Sequence, residues 1–185
     1  MQYGISILSI VPVRLEPNDR SEMTSQLIFG EHYKILETIK RWSKIQIAHD
    51  KYVGWISNKQ IQEINIDEYE KLEKEVPTLT TDILDIIEAD YNQPIVMGSV
   101  LPTFKSDHAL INNKMYKFTG NKTQGFSQKK HLINNAMVYL NTPYLWGGRT
   151  PFGIDCSGFT QIIYRLQGIK IPRDAYQQIE IGQNI

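Results

Sequence analysis

Asn141-Thr142-Pro143-Tyr144-Leu145-Trp146-Gly147-Gly148, then Gly153-Ile154-Asp155-Cys156-Ser157-Gly158-Phe159, then Ile171-Pro172-Arg173-Asp174-Ala175-Tyr176-Gln177-Gln178: these three stretches decide how the chain is read. The middle one holds the only cysteine of the 185 residues. After it, Phe159, Ile162, Ile163 and Leu166 recur at helical spacing and Gly168 follows as a stop signal, so a helix is expected to begin at Cys156. Asp155 then falls at the N-cap. The thiol lies on the first turn, beside unpaired backbone N–H groups and the positive end of the helix dipole. That setting favours a thiolate. An Asp155 charge aimed at the sulfur would oppose it, so Asp155 is read as a capping group or as a ligand for a positively charged substrate group. Gly147, Gly148, Gly153 and Gly158 remove side chains from the approaches to the sulfur. A lone cysteine excludes an internal disulfide and every multi-cysteine metal site, leaving a small buried hydrophobe or a reactive thiol. The neighbours favour the thiol.

Outward from this segment, the bulk composition narrows the function classes. Hydrophobic residues make up 41% of the chain, enough for a core of ordinary size, and 20 basic residues balance 20 acidic ones. Such a balance supplies no field that would draw the protein to nucleic acid or to an anionic membrane. The N-terminal run Met1 to Pro12 has no basic n-region, and Ser6, Ser9 and Pro12 interrupt its apolar stretch. It reads as neither a signal peptide nor a membrane anchor, which points to the cytoplasm unless the N-terminus was trimmed.

Residues 1–64 show short strand patterns. Gly4 to Val13, Ser25 to Phe29, Tyr33 to Ile39, Trp42 to Ala48 and Tyr52 to Ser57 read as strands, with Pro17 to Arg20 as a turn. Ile45 and Ile47 alternate with Lys44 and Gln46, the period of a sheet with one wet face. Residues 65–79 read as a charged, solvated connector with at most a helical turn or two. The strand pattern resumes over 80–127, in Ile95 to Pro102 and Lys114 to Phe118, and predicts a second, divergent barrel. Gly120 to Gln128 reads as a linker, and a helix is expected over Lys129 to Leu140 with Leu132, Ile133, Ala136, Met137 and Leu140 on one stripe. Residues 128–185 form the third unit.

Two resemblances attach to these residues. Pro12-Val13-Arg14-Leu15-Glu16-Pro17, the segment Ser21 to Glu31 and Tyr52-Val53-Gly54-Trp55-Ile56 resemble the opening strand, divergent loop and closing strand of bacterial SH3 domains. The three C-terminal stretches are similar, in order and spacing, to the Pro-Tyr-x-Trp-Gly-Gly, Asp-Cys-Ser-Gly and Pro-Arg-x-x-x-x-Gln signatures of NlpC-type cysteine peptidases. The fold class implied is α+β: two small SH3-like β-barrels followed by a partial papain-like NlpC-type domain.

The second resemblance implies roles residue by residue. Cys156 is the nucleophile that attacks the scissile amide, and Tyr144 places its hydroxyl beside it, on the oxyanion or the substrate. Asp155 and Ser157 line the pocket for the free amino end of a cell-wall stem peptide. Trp146 is either a wall of the cleft or plain core, and Arg173 and Gln178 are structural. Members with two leading SH3 modules cleave the γ-D-glutamyl to diamino-acid bond of peptides with a free N-terminal L-alanine. In them the first module closes the cleft with an acidic residue and a tyrosine. Glu22 and Tyr52 are the candidates here, in competition with Glu16, Glu31 and Tyr33. The implied partner is a peptidoglycan-derived peptide, bound by a monomer with no cofactor, no metal, no nucleic acid and no membrane insertion.

The family also uses a histidine base, oriented by a second polar residue, downstream of the Pro-Arg stretch. His32, His49, His108 and His131 all precede that position and read as ordinary histidines. The sequence is therefore expected to be a partial record of a complete enzyme, with no hydrolysis expected if Ile185 is the true end. The cysteine helix is expected to lack a sheet to cover its apolar stripe. Two other classes stay open: a non-catalytic binder of peptidoglycan peptides with a vestigial peptidase segment, and acyl transfer by a related thiol enzyme.

Overall fold

The computed structural model describes residues 2–125 and 128–182. Positions 126 and 127 of the expected linker, and 183–185 of the expected third unit, lie outside the described residues. The first sheet has seven antiparallel strands: β1 (Gln2–Ile5), β2 (Ile10–Arg14), β3 (Met23–Ile28), β4 (His32–Thr38), β5 (Trp42–Ile47), β6 (Val53–Ser57) and β7 (Gln62–Ile64). Their order is β3-β2-β6-β5-β4-β1-β7. Helix α1 (Ile66–Lys74) leads to β8 (Thr78–Thr80), β9 (Leu84–Glu88), β10 (Asn92–Val96), β11 (Val100–Leu101), β12 (His108–Ile111), β13 (Lys114–Lys117) and β14 (Lys122–Thr123). These form one sheet in the order β10-β9-β13-β12 and another in the order β11-β8-β14. The remainder is α2 (Lys129–Val138), the hairpin β15 (Arg149–Thr150) and β16 (Gly153–Ile154), α3 (Cys156–Leu166) and α4 (Ala175–Glu180).

Among the described residues, the edge strands β3 and β7 of the first sheet do not pair with each other and the second β region divides into two sheets, so backbone pairing does not close the barrels expected from the sequence. The expected strand Gly4 to Val13 divides into β1 and β2 because Ser6 breaks it: its hydroxyl donates to the Leu8 carbonyl, and its own carbonyl is taken by the Gly30 N–H. The run Ile95 to Pro102 divides likewise at Gly98, whose φ of +84° turns the chain between β10 and β11.

The connector is more than a turn or two. Asn65 caps α1 by accepting from the Glu68 N–H, and Tyr69 and Leu72 are buried on its inner face. Those two side chains join a core that runs through the first sheet (Ile5, Phe29, Ile64) into the second β region (Ile87, Ile95, Ile111, Phe118). The expected linker contributes β14, which pairs with β8. Helix α2 ends at Val138, and its expected stripe splits: Leu132 and Ala136 pack inward while Ile133, Met137 and Leu140 stay exposed.

The apolar face of α3 is covered, contrary to expectation. Ile162, Ile163 and Leu166 are buried against Ile28 of β3, Leu79 of β8, and Val96, Met97 and Val100 around β10 and β11. The cover comes from the preceding β regions, which the heptad-like spacing of one helix does not disclose. None of the described helices is long and apolar enough to cross a membrane.

Candidate active site

Cys156 opens α3 and is exposed to solvent. Asp155 is its N-cap, with extended backbone and a side chain that accepts from the Gly158 N–H at 2.7 Å. The same carboxylate accepts the Gly147 N–H at 2.9 Å and two donors of Arg173, at 2.7 and 3.1 Å. Burial alone would raise the Asp155 carboxyl; the hydrogen bonds from Arg173, Gly158 and Gly147, with the arginine charge, outweigh it and hold it below the ordinary range. The charge beside the nucleophile is thus balanced within the protein. Ser157 belongs to the same knot, donating to Asp155 and accepting from Arg173 at 2.8 Å.

The glycines around the site make room for the protein itself. Gly147 has φ +74°, and a Cβ there would meet the Met23 carbonyl oxygen at 2.3 Å. A Cβ on Gly158 would meet the Gly148 carbonyl at 2.3 Å. The close approaches that the sequence suggests for a substrate backbone are occupied by β3 and by the hairpin, which lets the cysteine segment lie directly on the first sheet.

A cleft of about 520 Å³ opens at the thiol. Glu22, Thr24 and Tyr52 line it from the first sheet, and Trp146, Asp155, Cys156, Ser157, Arg173, Asp174 and Tyr176 are among those lining it from the C-terminal segment. Six of the sequence-predicted residues therefore meet in one place. Glu22 and Trp146, 124 positions apart, are joined by a hydrogen bond from the indole Nε1 to the carboxylate. Burial raises the Tyr52 phenol, and a hydrogen bond with Thr24 partly offsets the rise. Tyr144 is placed differently: its backbone bridges Ile154, but its ring is exposed and outside the cleft lining.

Asp174 and Tyr176 were not singled out in the sequence, although they sit inside its third stretch. Asp174 is half-buried, and that burial, with Asp50 and Asp155 nearby, raises its carboxyl against the pull of Arg173. With Asp155 committed to Arg173, Glu22 and Asp174 are the carboxylates left to meet a cation. Gln178 donates to the Ser157 and Pro172 carbonyls, tying α4 to the start of α3.

Of the competing residues, Glu31 and Tyr33 lie in the interior. Glu31 pairs with Arg149 of β15 and Arg165 of α3, and these charges hold its carboxyl far below the ordinary range although burial opposes them. Among the described residues, no histidine lines the cleft. His32 contacts Glu73 at 3.3 Å, His49 stands near Arg165, and His108 bonds the Ser106 carbonyl.

Comparison with known proteins finds two matching segments. Residues 13–61 match the model of the bacterial dipeptidyl-peptidase Sh3 domain, and residues 141–185 match the NlpC/P60 family. The gamma-D-glutamyl-L-lysine dipeptidyl-peptidase of Bacillus cereus is 26% identical over 88% of this chain, which spans 56% of that protein's length. Dipeptidyl-peptidase 6 of Lysinibacillus sphaericus is 23% identical, with 93% of this chain and 72% of that one covered. In three dimensions an NlpC/P60 family protein from Bacillus cereus superimposes with a TM-score of 0.85 at 20% identity, over 99% of this chain and 78% of its own. The chain thus has the fold of that NlpC/P60 protein, with a bacterial dipeptidyl-peptidase Sh3 domain over residues 13–61 and an NlpC/P60 segment over residues 141–185.

Proposed function

We propose that the complete protein carrying this chain is a cysteine peptidase acting on peptidoglycan stem peptides with a free N-terminal L-alanine, cutting the γ-D-glutamyl to diamino-acid bond. The observation that carries this reading is the exposed Cys156 at the start of α3, facing a cleft that Glu22 and Tyr52 close from the SH3 side. Residues 80–127 are read as a second SH3-like module, which shares its core with the first.

The thiolate of Cys156 attacks the γ-glutamyl carbonyl carbon. The C–S bond forms, the C–N bond breaks, the amine of the diamino acid leaves with a proton, and water then releases the acyl group. The ammonium of the L-alanine sits between Glu22 and Asp174, where two carboxylates suit one cation. The resemblance gives Tyr144 a role at the reacting carbonyl, which its exposed ring would have to reach from outside the cleft lining. As the resemblance implies, the proton acceptor is a histidine oriented by a second polar residue. The names of the Bacillus cereus and Lysinibacillus sphaericus relatives support a dipeptidyl-peptidase reading.

A second reading has one observation in its favour: among the described residues, no histidine lines the cleft. On it, the protein binds stem peptides without cutting them. Incubating the complete protein with L-Ala-γ-D-Glu-L-Lys and its diaminopimelate counterpart separates the two. Release of L-Ala-γ-D-Glu, lost in Cys156→Ala, supports the peptidase; binding by calorimetry without release supports the binder; release that persists in Cys156→Ala removes Cys156 from the chemistry.

A further inference from the structure

Arg173 is almost completely buried, and its guanidinium hydrogen-bonds to the nucleophile's immediate surroundings and to the first sheet. Two nitrogens reach Asp155 at 2.7 and 3.1 Å, one of them also reaches the Ser157 hydroxyl at 2.8 Å, and Nε donates to the Ser25 hydroxyl of β3 at 3.2 Å. Asp155 and Ser157 flank Cys156 in sequence. A carboxylate one residue from a thiol disfavours the thiolate unless a cation cancels it. The arginine fork does so bidentately, which also fixes the N-cap geometry and hence the first turn of α3.

We propose that Arg173 is a positioning residue for Cys156: by neutralising Asp155, it leaves the helix N-terminus as the net field at the sulfur, and through Ser25 it makes that arrangement depend on the docked first sheet. This rests on Cys156 being the nucleophile of the proposed function, but its test does not require peptide cleavage. An arginine that serves only to hold the fold would affect the thiol equally at every pH; one that balances a charge would not.

The test is the rate of Cys156 alkylation by iodoacetamide, followed by mass spectrometry in the complete protein from pH 6 to pH 10. Arg173→Gln should slow the reaction at pH 7 by about tenfold, and the difference should vanish at the alkaline end, where the thiol is ionised in both proteins. The double variant Asp155→Asn with Arg173→Gln, which removes both charges, should recover to within about threefold of the wild type. Asp155→Asn alone leaves the arginine unbalanced and should react faster than the wild type at pH 7; it decides the matter if Arg173→Gln does not fold. A slowing of Arg173→Gln that is the same at all pH values, a double variant as slow as Arg173→Gln, or an Asp155→Asn rate at or below the wild type would each overturn the proposal. Absence of peptide cleavage by the wild type, together with the expected alkylation pattern, would instead count against the proposed function alone.

Discussion

Arg149 and Glu31, 118 positions apart, face each other through two 3.0 Å contacts with almost no solvent access to either side chain. Arg165 of α3 reaches the same carboxylate, and the Arg149 guanidinium and N–H also bond Gln26 on the edge strand β3. One carboxylate therefore anchors both the hairpin and the cysteine helix to the first sheet. Removing it leaves two buried cations unpaired. Glu31→Gln should lower unfolding stability by about 3–5 kcal/mol in urea titrations, whereas replacing Glu31, Arg149 and Arg165 together by apolar residues should cost less than the single change.

The same carboxylate predicts a pH dependence. Its folded-state affinity for protons lies below the ordinary value of 4.5, because the two arginines outweigh burial. The folded protein thus holds fewer protons than the unfolded chain at acid pH. Its contribution is complete above about pH 4.5 and is lost progressively as pH falls below that. Denaturant midpoints measured from pH 6 down to pH 3 should fall, and the slope should flatten in the apolar triple variant.

His49 acts in a separate window. Burial, then the positive charges of Arg165, Arg149 and Lys170, push its imidazole well below the ordinary 6.5, against the pull of Glu31. The folded state keeps it neutral while the unfolded chain takes up a proton, so stability is lost as pH falls below about 6.5. His49→Asn should make the protein less sensitive between pH 7 and pH 5, by about 1 kcal/mol across that range, read from thermal or urea unfolding.

Gly147 has neither a permissive backbone angle nor space for a side chain, with φ +74° and Met23 at 2.3 Å from a Cβ. Gly147→Ala should destabilise by about 2 kcal/mol or more and weaken the approach of Trp146 to Glu22. Gly182→Ala, where a Cβ would find only an ordinary 3.4 Å contact, should be close to neutral when both variants are compared by thermal unfolding.

The Trp146 to Glu22 hydrogen bond orients a carboxylate that the proposed substrate needs. Glu22→Gln should raise KM for a peptide with a free amino terminus by about tenfold and leave an N-acetylated peptide little changed. Trp146→Phe, which keeps the ring and removes the donor, should move KM in the same direction by less. Equal loss on both peptides would remove Glu22 from amine recognition.

Local features were the ones open to reading in the sequence. The 3.6-residue spacing from Phe159 to Leu166 and the aspartate before Cys156 locate α3 and its cap, because both signals lie within a dozen residues. The strand segments around Ile45 and Ile56 were legible for the same reason. What escaped was long-range: the Asp155 to Arg173 pair, the Glu31 cluster, and the β10 and β11 side chains that cover α3. No periodicity links positions a hundred residues apart, and a buried carboxylate such as Glu31 looks like any surface glutamate until its two arginines are in place. Glu22 and Tyr52 reached the cleft through family resemblance rather than pattern, and Asp174 was hidden beside the more conspicuous Asp155.

The packing of α3 onto Ile28, Leu79, Val96 and Val100 bears on how the protein is made. The ribosome delivers these β residues well before Cys156 emerges, so the cysteine helix has a finished template on which to settle. The SH3-bearing half is then an intramolecular scaffold, and not a detachable address label. Grafting residues 128–185 onto a foreign partner would transplant a helix with a bare greasy flank, and the thiol at its tip would arrive without the surface that holds it in place.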